Sequence, residues 1–170
     1  MVVERSIVIF PQLGKEKNFI QGIRERYDTL ASKIAPHITL VFPFKSKIPS
    51  LELRQHLETC LVKVPKFNST VQGISHEGNY LFLNIIEGRE RIIEIHNSLY
   101  SGLLEEFLSK KHTYQPHITV GHLINSTAAK TAMEELKHCD RQLKIKIDKI
   151  TTEIVLDDLS SKIDFEIELK

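Results

Sequence analysis

The stretch Pro36-His37-Ile38-Thr39-Leu40 returns eighty positions later as Pro116-His117-Ile118-Thr119-Val120. Two copies of one polar constellation, each led by proline, point to an internal duplication that builds a single two-sided site. On a strand, successive side chains point to opposite faces. His37 therefore shares a face with Thr39, and His117 with Thr119, while Ile38, Leu40, Ile118 and Val120 can anchor the strands in a core.

Working outward from the first copy, Pro36 keeps Ala35 out of helical geometry. The helix before it must end there. Phe19, Ile20, Ile23, Tyr27, Leu30 and Ala31 recur at three- and four-residue spacing and predict that helix from Lys15 to about Ile34. Arg5 to Phe10 is rich in β-branched and aromatic residues and predicts a first strand ending at Pro11. His37 to Phe44 reads as a strand stopped by Pro43. Ser50 is the expected cap of a helix to about Val62, with Leu51, Leu53, Leu57 and Leu61 on or near its buried face. Phe67 to His76 and Tyr80 to Glu87 flank Glu77-Gly78-Asn79, a turn signal, and predict a hairpin.

The second copy has the same surroundings. Gly88 to Leu108 carries Ile92, Ile95, Leu99, Leu103 and Phe107 at helical spacing. His117 to Leu123 is the second motif strand, and Ser126 is the expected cap of a helix to about His138. Strands are expected at Leu143 to Ile150, Thr151 to Leu156 and Ile163 to Leu169, with Ser161 and Lys162 in the last turn. The halves match in order: helix, motif strand, helix, strands.

Composition limits what such a chain can do. With 41% hydrophobic and 26% charged residues, 170 residues suffice for one compact domain or two small lobes sharing a core. The 23 Lys and Arg balance 22 Asp and Glu, so no global field draws the protein to duplex DNA or an anionic membrane. The N-terminal residues lack a secretory pattern, and no run approaches the roughly 18 apolar residues of a membrane span. A cytoplasmic monomer is expected. Cys60 and Cys139 lie in helical segments and read as small buried hydrophobes rather than a disulfide or zinc pair.

Histidine exchanges protons near neutrality, its unperturbed pKa being about 6.5. If an approximate twofold axis brings the motif strands together, one imidazole can activate water while the other protonates a leaving oxygen. The threonine hydroxyls would hold the phosphate oxygens on which charge builds. The scheme demands no metal and no cofactor. For a single copy, a structural histidine would be the better reading; the doubling reverses that. Zinc is the rival use, but His117 and His122 are five apart, which on a regular strand puts them on opposite faces and puts Gly121 on the cleft face. A bulge near Gly121 would re-aim His122. Phe42, Phe44 and Tyr114 lie near the motifs as stacking candidates or core aromatics, and Lys45 and Lys47 as phosphate attractors or solvated surface. His56, His76, His96, His112 and His138 have no evident partner.

The two motifs resemble the paired His-x-Thr-x signatures of the 2H phosphoesterase superfamily, which includes 2′-5′ RNA ligase-like proteins and cyclic phosphodiesterases. The continuation Val41-Phe42-Pro43-Phe44 is similar to a bacterial YjcG-like branch of it. The resemblance covers essentially the whole chain, residues 1–170. It implies a bilobal α+β fold, with two antiparallel sheets around a central cleft and helices packed outside. It further implies metal-independent chemistry on a 2′,3′-cyclic phosphate or 2′-5′ phosphodiester of a nucleotide or RNA end. His37 and His117 would be the catalytic pair, and Thr39 and Thr119 the substrate-binding pair. Where many ligase-like members have a basic residue after the second motif, this chain has Gly121-His122. The alternative function is a phosphate- or RNA-end-binding module without turnover; a third is a metal-binding regulatory protein.

Overall fold

The computed structural model describes residues 1–170. Eight strands form one antiparallel sheet: β1 (Val3–Ile9), β2 (Ile38–Ser46), β3 (Phe67–Glu77), β4 (Tyr80–Glu87), β5 (His117–His122), β6 (Leu143–Ile147), β7 (Lys149–Val155) and β8 (Ser161–Glu168). Their order across the sheet is β6-β3-β4-β5-β2-β1-β7-β8. The expectation of two separate sheets is thereby corrected. The two four-stranded halves are joined where β2 meets β5, through the single register pair Ile38↔Ile118. Those are the two isoleucines inside the motifs.

Four helices cover the sheet: α1 (Lys17–Tyr27), α2 (Ser50–Leu61), α3 (Arg89–Leu99) and α4 (Ser126–Leu136). Helix α1 packs against β5 and α3 against β2, so each half lends a helix to the other's motif strand. Ile38, Leu40, Ile118 and Val120 are fully buried, and a continuous cluster of 34 buried hydrophobic residues includes all four. The halves therefore share one core. No helix is long and apolar enough to cross a membrane.

Several boundaries move for identifiable reasons. Helix α1 ends at Tyr27 rather than near Ile34 because Asp28 turns extended, at φ −122° and ψ 112°. Its carboxylate accepts from the Leu30 backbone N–H at 3.0 Å, the Asx arrangement that competes with helix continuation. Strand β2 runs through Pro43 to Ser46 instead of stopping there. Arg5 pairs with Phe44 and Ile7 with Val41, which leaves Ser6 opposite both Phe42 and Pro43. A bulge of two residues against one is where a strand tolerates a residue with no N–H.

Ser50 is the first helical residue of α2 and not its cap. Its hydroxyl donates to Asp164 at 2.9 Å and accepts from Arg5 at 3.1 Å. The cap of α4 is Asn125, not Ser126; its Oδ1 accepts from the Ala128 N–H at 2.8 Å. The expected helix Gly88 to Leu108 breaks after Leu99 and resumes as a 3-10 turn over Gly102–Phe107, with Gly102 at φ +52°. Ser161 and Lys162 open β8 rather than lying in a turn. Cys60 and Cys139 are free thiols, each half-buried against the core.

Candidate active site

Both motif strands carry the same irregularity. In β2, Val8 pairs with Thr39 and Ile7 with Val41, so Leu40 is an extra residue. In β5, Phe82 pairs with Thr119 and Leu81 with Gly121, so Val120 is the extra residue. A bulge resets side-chain parity beyond it. Gly121 therefore points into the core against Leu81 and is buried, which corrects the cleft-facing placement expected from regular alternation. His122 comes round instead to the side of Tyr80, and their rings stack at 4.3 Å. Phe42, two residues past Leu40, becomes 49% exposed on the cleft wall by the same shift.

The histidines are held identically. His37 Nδ1 lies 2.9 Å from the carbonyl oxygen of Ala35, and His117 Nδ1 lies 2.7 Å from that of Gln115. A carbonyl oxygen only accepts, so each Nδ1 carries the proton, and each neutral ring has Nε2 as its free basic nitrogen. Each carbonyl belongs to the residue before the motif proline.

Burial pushes the proton affinity of both rings below that of ordinary histidine, and the carbonyl bonds act the other way. A proton on His37 also disfavours one on His117, so the two are within electrostatic reach. Phe82 stacks on His117 at 3.8 Å, and Phe10 stands edge-on to His37 at 6.0 Å. Because the central pair is antiparallel, continuing the register would bring His37 toward Thr119 and His117 toward Thr39.

A cleft of about 990 Å³ opens beside this junction. Thr39, His117 and Thr119 lie on its wall; His37 is not among the lining residues and has the Phe10 ring edge-on to it. Phe42, Tyr80 and Phe82 also line it, together with Arg89 and Glu77 as the charged residues. Nowhere are three or more His, Cys, Asp or Glu side chains grouped to hold a metal ion.

The remaining candidates separate cleanly. Phe44 is a core aromatic, buried and packed on Phe107 at 4.9 Å. Tyr114 is no free platform; its ring stacks on His96 at 3.6 Å and its hydroxyl donates to the Thr39 carbonyl at 2.7 Å. Lys45 is 70% exposed beside Glu4. His56 bonds the Leu99 carbonyl at 2.9 Å. His76 and His112 line the cleft, neither with a partner visible in the sequence.

Sequence reasoning missed His96, buried on α3 with its Nδ1 2.7 Å from the Leu40 carbonyl. A signal existed. His96 follows Ile92 and Ile95 on an otherwise apolar helix face, where an unpartnered imidazole would be costly.

A family model of the 2′-5′ RNA ligase superfamily matches residues 11–155. The chain is 27% identical over 152 residues to a Bacillus licheniformis protein named "putative phosphoesterase", covering 85% of each. It is 30% identical over 153 residues to a Geobacillus kaustophilus protein of the same description, covering 85% of this chain and 83% of that one. Among solved structures, Escherichia coli LigT complexed with 3′-AMP aligns with a TM-score of 0.67 at 14% identity, covering 100% of this chain and 99% of LigT. Kluyveromyces marxianus Usb1 aligns at 0.54 with 8% identity, covering 98% of both chains. These two similarities concern the fold.

Proposed function

The chain belongs to the 2′-5′ RNA ligase superfamily, and from its cleft we propose that it is a metal-independent phosphoesterase acting, as a monomer, on a 2′,3′-cyclic phosphate or 2′-5′ phosphodiester of a nucleotide or RNA end. The observation that carries this reading is the matched tautomer of His37 and His117. Each uses Nδ1–H on a carbonyl, which leaves two Nε2 atoms free on either side of the Ile38–Ile118 junction.

With a cyclic phosphate between them, one Nε2 takes a proton from water as its oxygen bonds to phosphorus. The other imidazole, protonated, gives its proton to the ribose oxygen as the phosphorus–oxygen bond breaks. One proton enters the pair and one leaves it, and solvent exchange restores the starting state. Burial favours the neutral form of both rings in the free protein. The negative charge of a bound phosphate raises their proton affinity and supplies the imidazolium when it is needed.

Thr39 and Thr119 line the same cleft and can donate to the non-bridging oxygens, whose charge grows in the transition state. The exposed rings of Phe42 and Tyr80, with Phe82 between Tyr80 and His117, offer a nucleobase faces to stack on. The global charge of +1 leaves anion capture to this local set.

The test is turnover of 2′,3′-cyclic AMP, with products resolved as the 2′- or 3′-phosphate. His37→Ala and His117→Ala should each lose about 10²- to 10⁴-fold in rate, the usual worth of a positioned proton-transfer group. Their thermal midpoints should stay close to wild type. Near-wild-type activity in either variant refutes the scheme, and phosphate binding without turnover by the wild type would identify a binding module instead.

A further inference from the structure

We propose that Tyr114, His96 and Tyr100 are positioning residues that fix where the Thr39 hydroxyl stands in the cleft, acting through the backbone of β2. The proposal rests on the reading of Thr39 as a donor to the substrate phosphate.

Beyond Ile38, the edge of β2 that faces β5 has no strand partner, because the halves touch at one register pair. The bulge at Leu40 takes a further residue out of the ladder with β1. A strand left in this state exposes unpaired backbone groups and can slide or twist. Three rings take them up in sequence. The Tyr114 hydroxyl donates to the Thr39 carbonyl at 2.7 Å, His96 Nδ1–H donates to the Leu40 carbonyl at 2.7 Å, and the Phe42 N–H donates to the Tyr100 hydroxyl at 3.1 Å.

The rings form one packed unit. His96 and Tyr100 lie four residues apart at the end of α3, with centroids 4.9 Å apart at 63°. Tyr114 stacks on His96 at 3.6 Å, within 2° of parallel. Tyr114 also adjoins Gln115, whose carbonyl orients His117. One cluster thus bonds the backbone of the first motif and abuts the residue that aims the second.

Duplication alone does not require this tie. Helices α1 and α3 have 11 residues each, and the positions matching His96 and Tyr100 hold Arg24 and Asp28. Those two side chains are buried and bond each other at 3.0 and 3.1 Å. The ring cluster is an adaptation of the side that opens into the large cleft. Its consequence is mechanical: transition-state donors must be held to about 0.5 Å, and a misplacement of about 1 Å can cost 10²-fold.

The test is a double-mutant cycle on the full chain. Tyr114→Phe keeps the stacked ring and removes only the hydroxyl. It should lower kcat on 2′,3′-cyclic AMP about tenfold, with KM changed less than threefold. In a Thr39→Ala background the same change should have less than a twofold effect, because the hydroxyl being positioned is already gone. His96→Leu should behave like Tyr114→Phe, whereas His96→Asn, whose amide can still donate to Leu40, should recover most of the rate. The same cycle is read in the affinity for inorganic phosphate, followed by NMR titration, so that it does not depend on turnover alone.

An undiminished Tyr114→Phe, or an equal loss with and without Thr39, in an active wild type overturns the positioning role and leaves the phosphoesterase reading intact. A wild type that neither turns over the cyclic nucleotide nor binds phosphate overturns both.

Discussion

Gly121→Ala separates the bulged strand of the structure from the regular strand that alternation predicts. A Cβ built on Gly121 lies 2.8 Å from Cδ1 of Leu81 and 3.1 Å from both its Cγ and its Cβ. Contact with the root of the side chain matters most, because rotating Leu81 moves Cδ1 but leaves its Cβ in place. Leu81 is fully buried and is the register partner of Gly121, so relief needs a shift of β4 away from β5. Overpacking of this kind costs about 1–3 kcal/mol. For a chain of this size each kcal/mol moves the thermal midpoint by about 2–4 °C, so the expected fall is roughly 2–12 °C. Gly22→Ala is the control: nothing lies within 4 Å of its Cβ, in the interior of α1. It should gain roughly 0.5–1 kcal/mol from helix propensity. Thermal unfolding of the two variants alongside wild type makes the comparison. If Gly121→Ala unfolds at the wild-type temperature or above and shows its effect only as a raised KM, then Gly121 faces the cleft and the bulge at Val120 is wrong.

Thr39→Ala and Thr119→Ala should each lower kcat on 2′,3′-cyclic AMP by about 10²-fold, as removal of one transition-state donor does, with Thr→Ser retaining most of the rate; a loss confined to KM would argue against their role. Stability should depend on pH through the buried histidines. Burial holds His37, His96 and His117 below their ordinary value of 6.5 in the folded chain, so the unfolded chain binds these protons first as pH falls. Their contribution is fully present above about pH 6.5 and is lost progressively below it, down to the folded-state values. Thermal midpoints should therefore decline as pH falls below about 6.5, before the carboxylates titrate; a flat profile would refute the burial argument.

Most strands and helices were legible in the sequence because apolar spacing is local, and so was the burial of Ile38, Leu40, Ile118 and Val120 inside the motifs. What failed was set by partners elsewhere in the chain. Leu30 and Ala31 continue the helical spacing of α1, yet Asp28 ends it by capping Leu30 and bonding Arg24. Pro43 stops a strand by local rules, yet β2 absorbs it because Ser6 can face two residues at once. A bulge is a property of two strands, and neither Leu40 nor Val120 differs in type from an ordinary strand residue. Gly121 was misplaced for that reason, and the hydrogen bonds of His96 and Tyr114 depend on carbonyls that only the folded edge of β2 exposes.

The shared bulge also bears on how one duplicated motif can serve an asymmetric substrate. On a regular strand, the cleft-facing residues of each motif would be the histidine, the threonine and the residue four beyond the histidine. With an extra residue at Leu40 and at Val120, the positions four beyond, Val41 and Gly121, are buried, and the positions five beyond, Phe42 and His122, turn outward. The two copies agree at the histidine and the threonine to which the proposal gives protons and phosphate oxygens, down to the carbonyl on each Nδ1. They part company at the fifth. Phe42 stands exposed on the cleft wall, while His122 is held flat on Tyr80. A phosphate with two opposed reacting oxygens is nearly symmetric, whereas the nucleoside attached to it is not. Under the proposed function a division of labour follows: the positions kept alike would serve the in-line displacement, and the position that differs would give the nucleoside one side on which to lie.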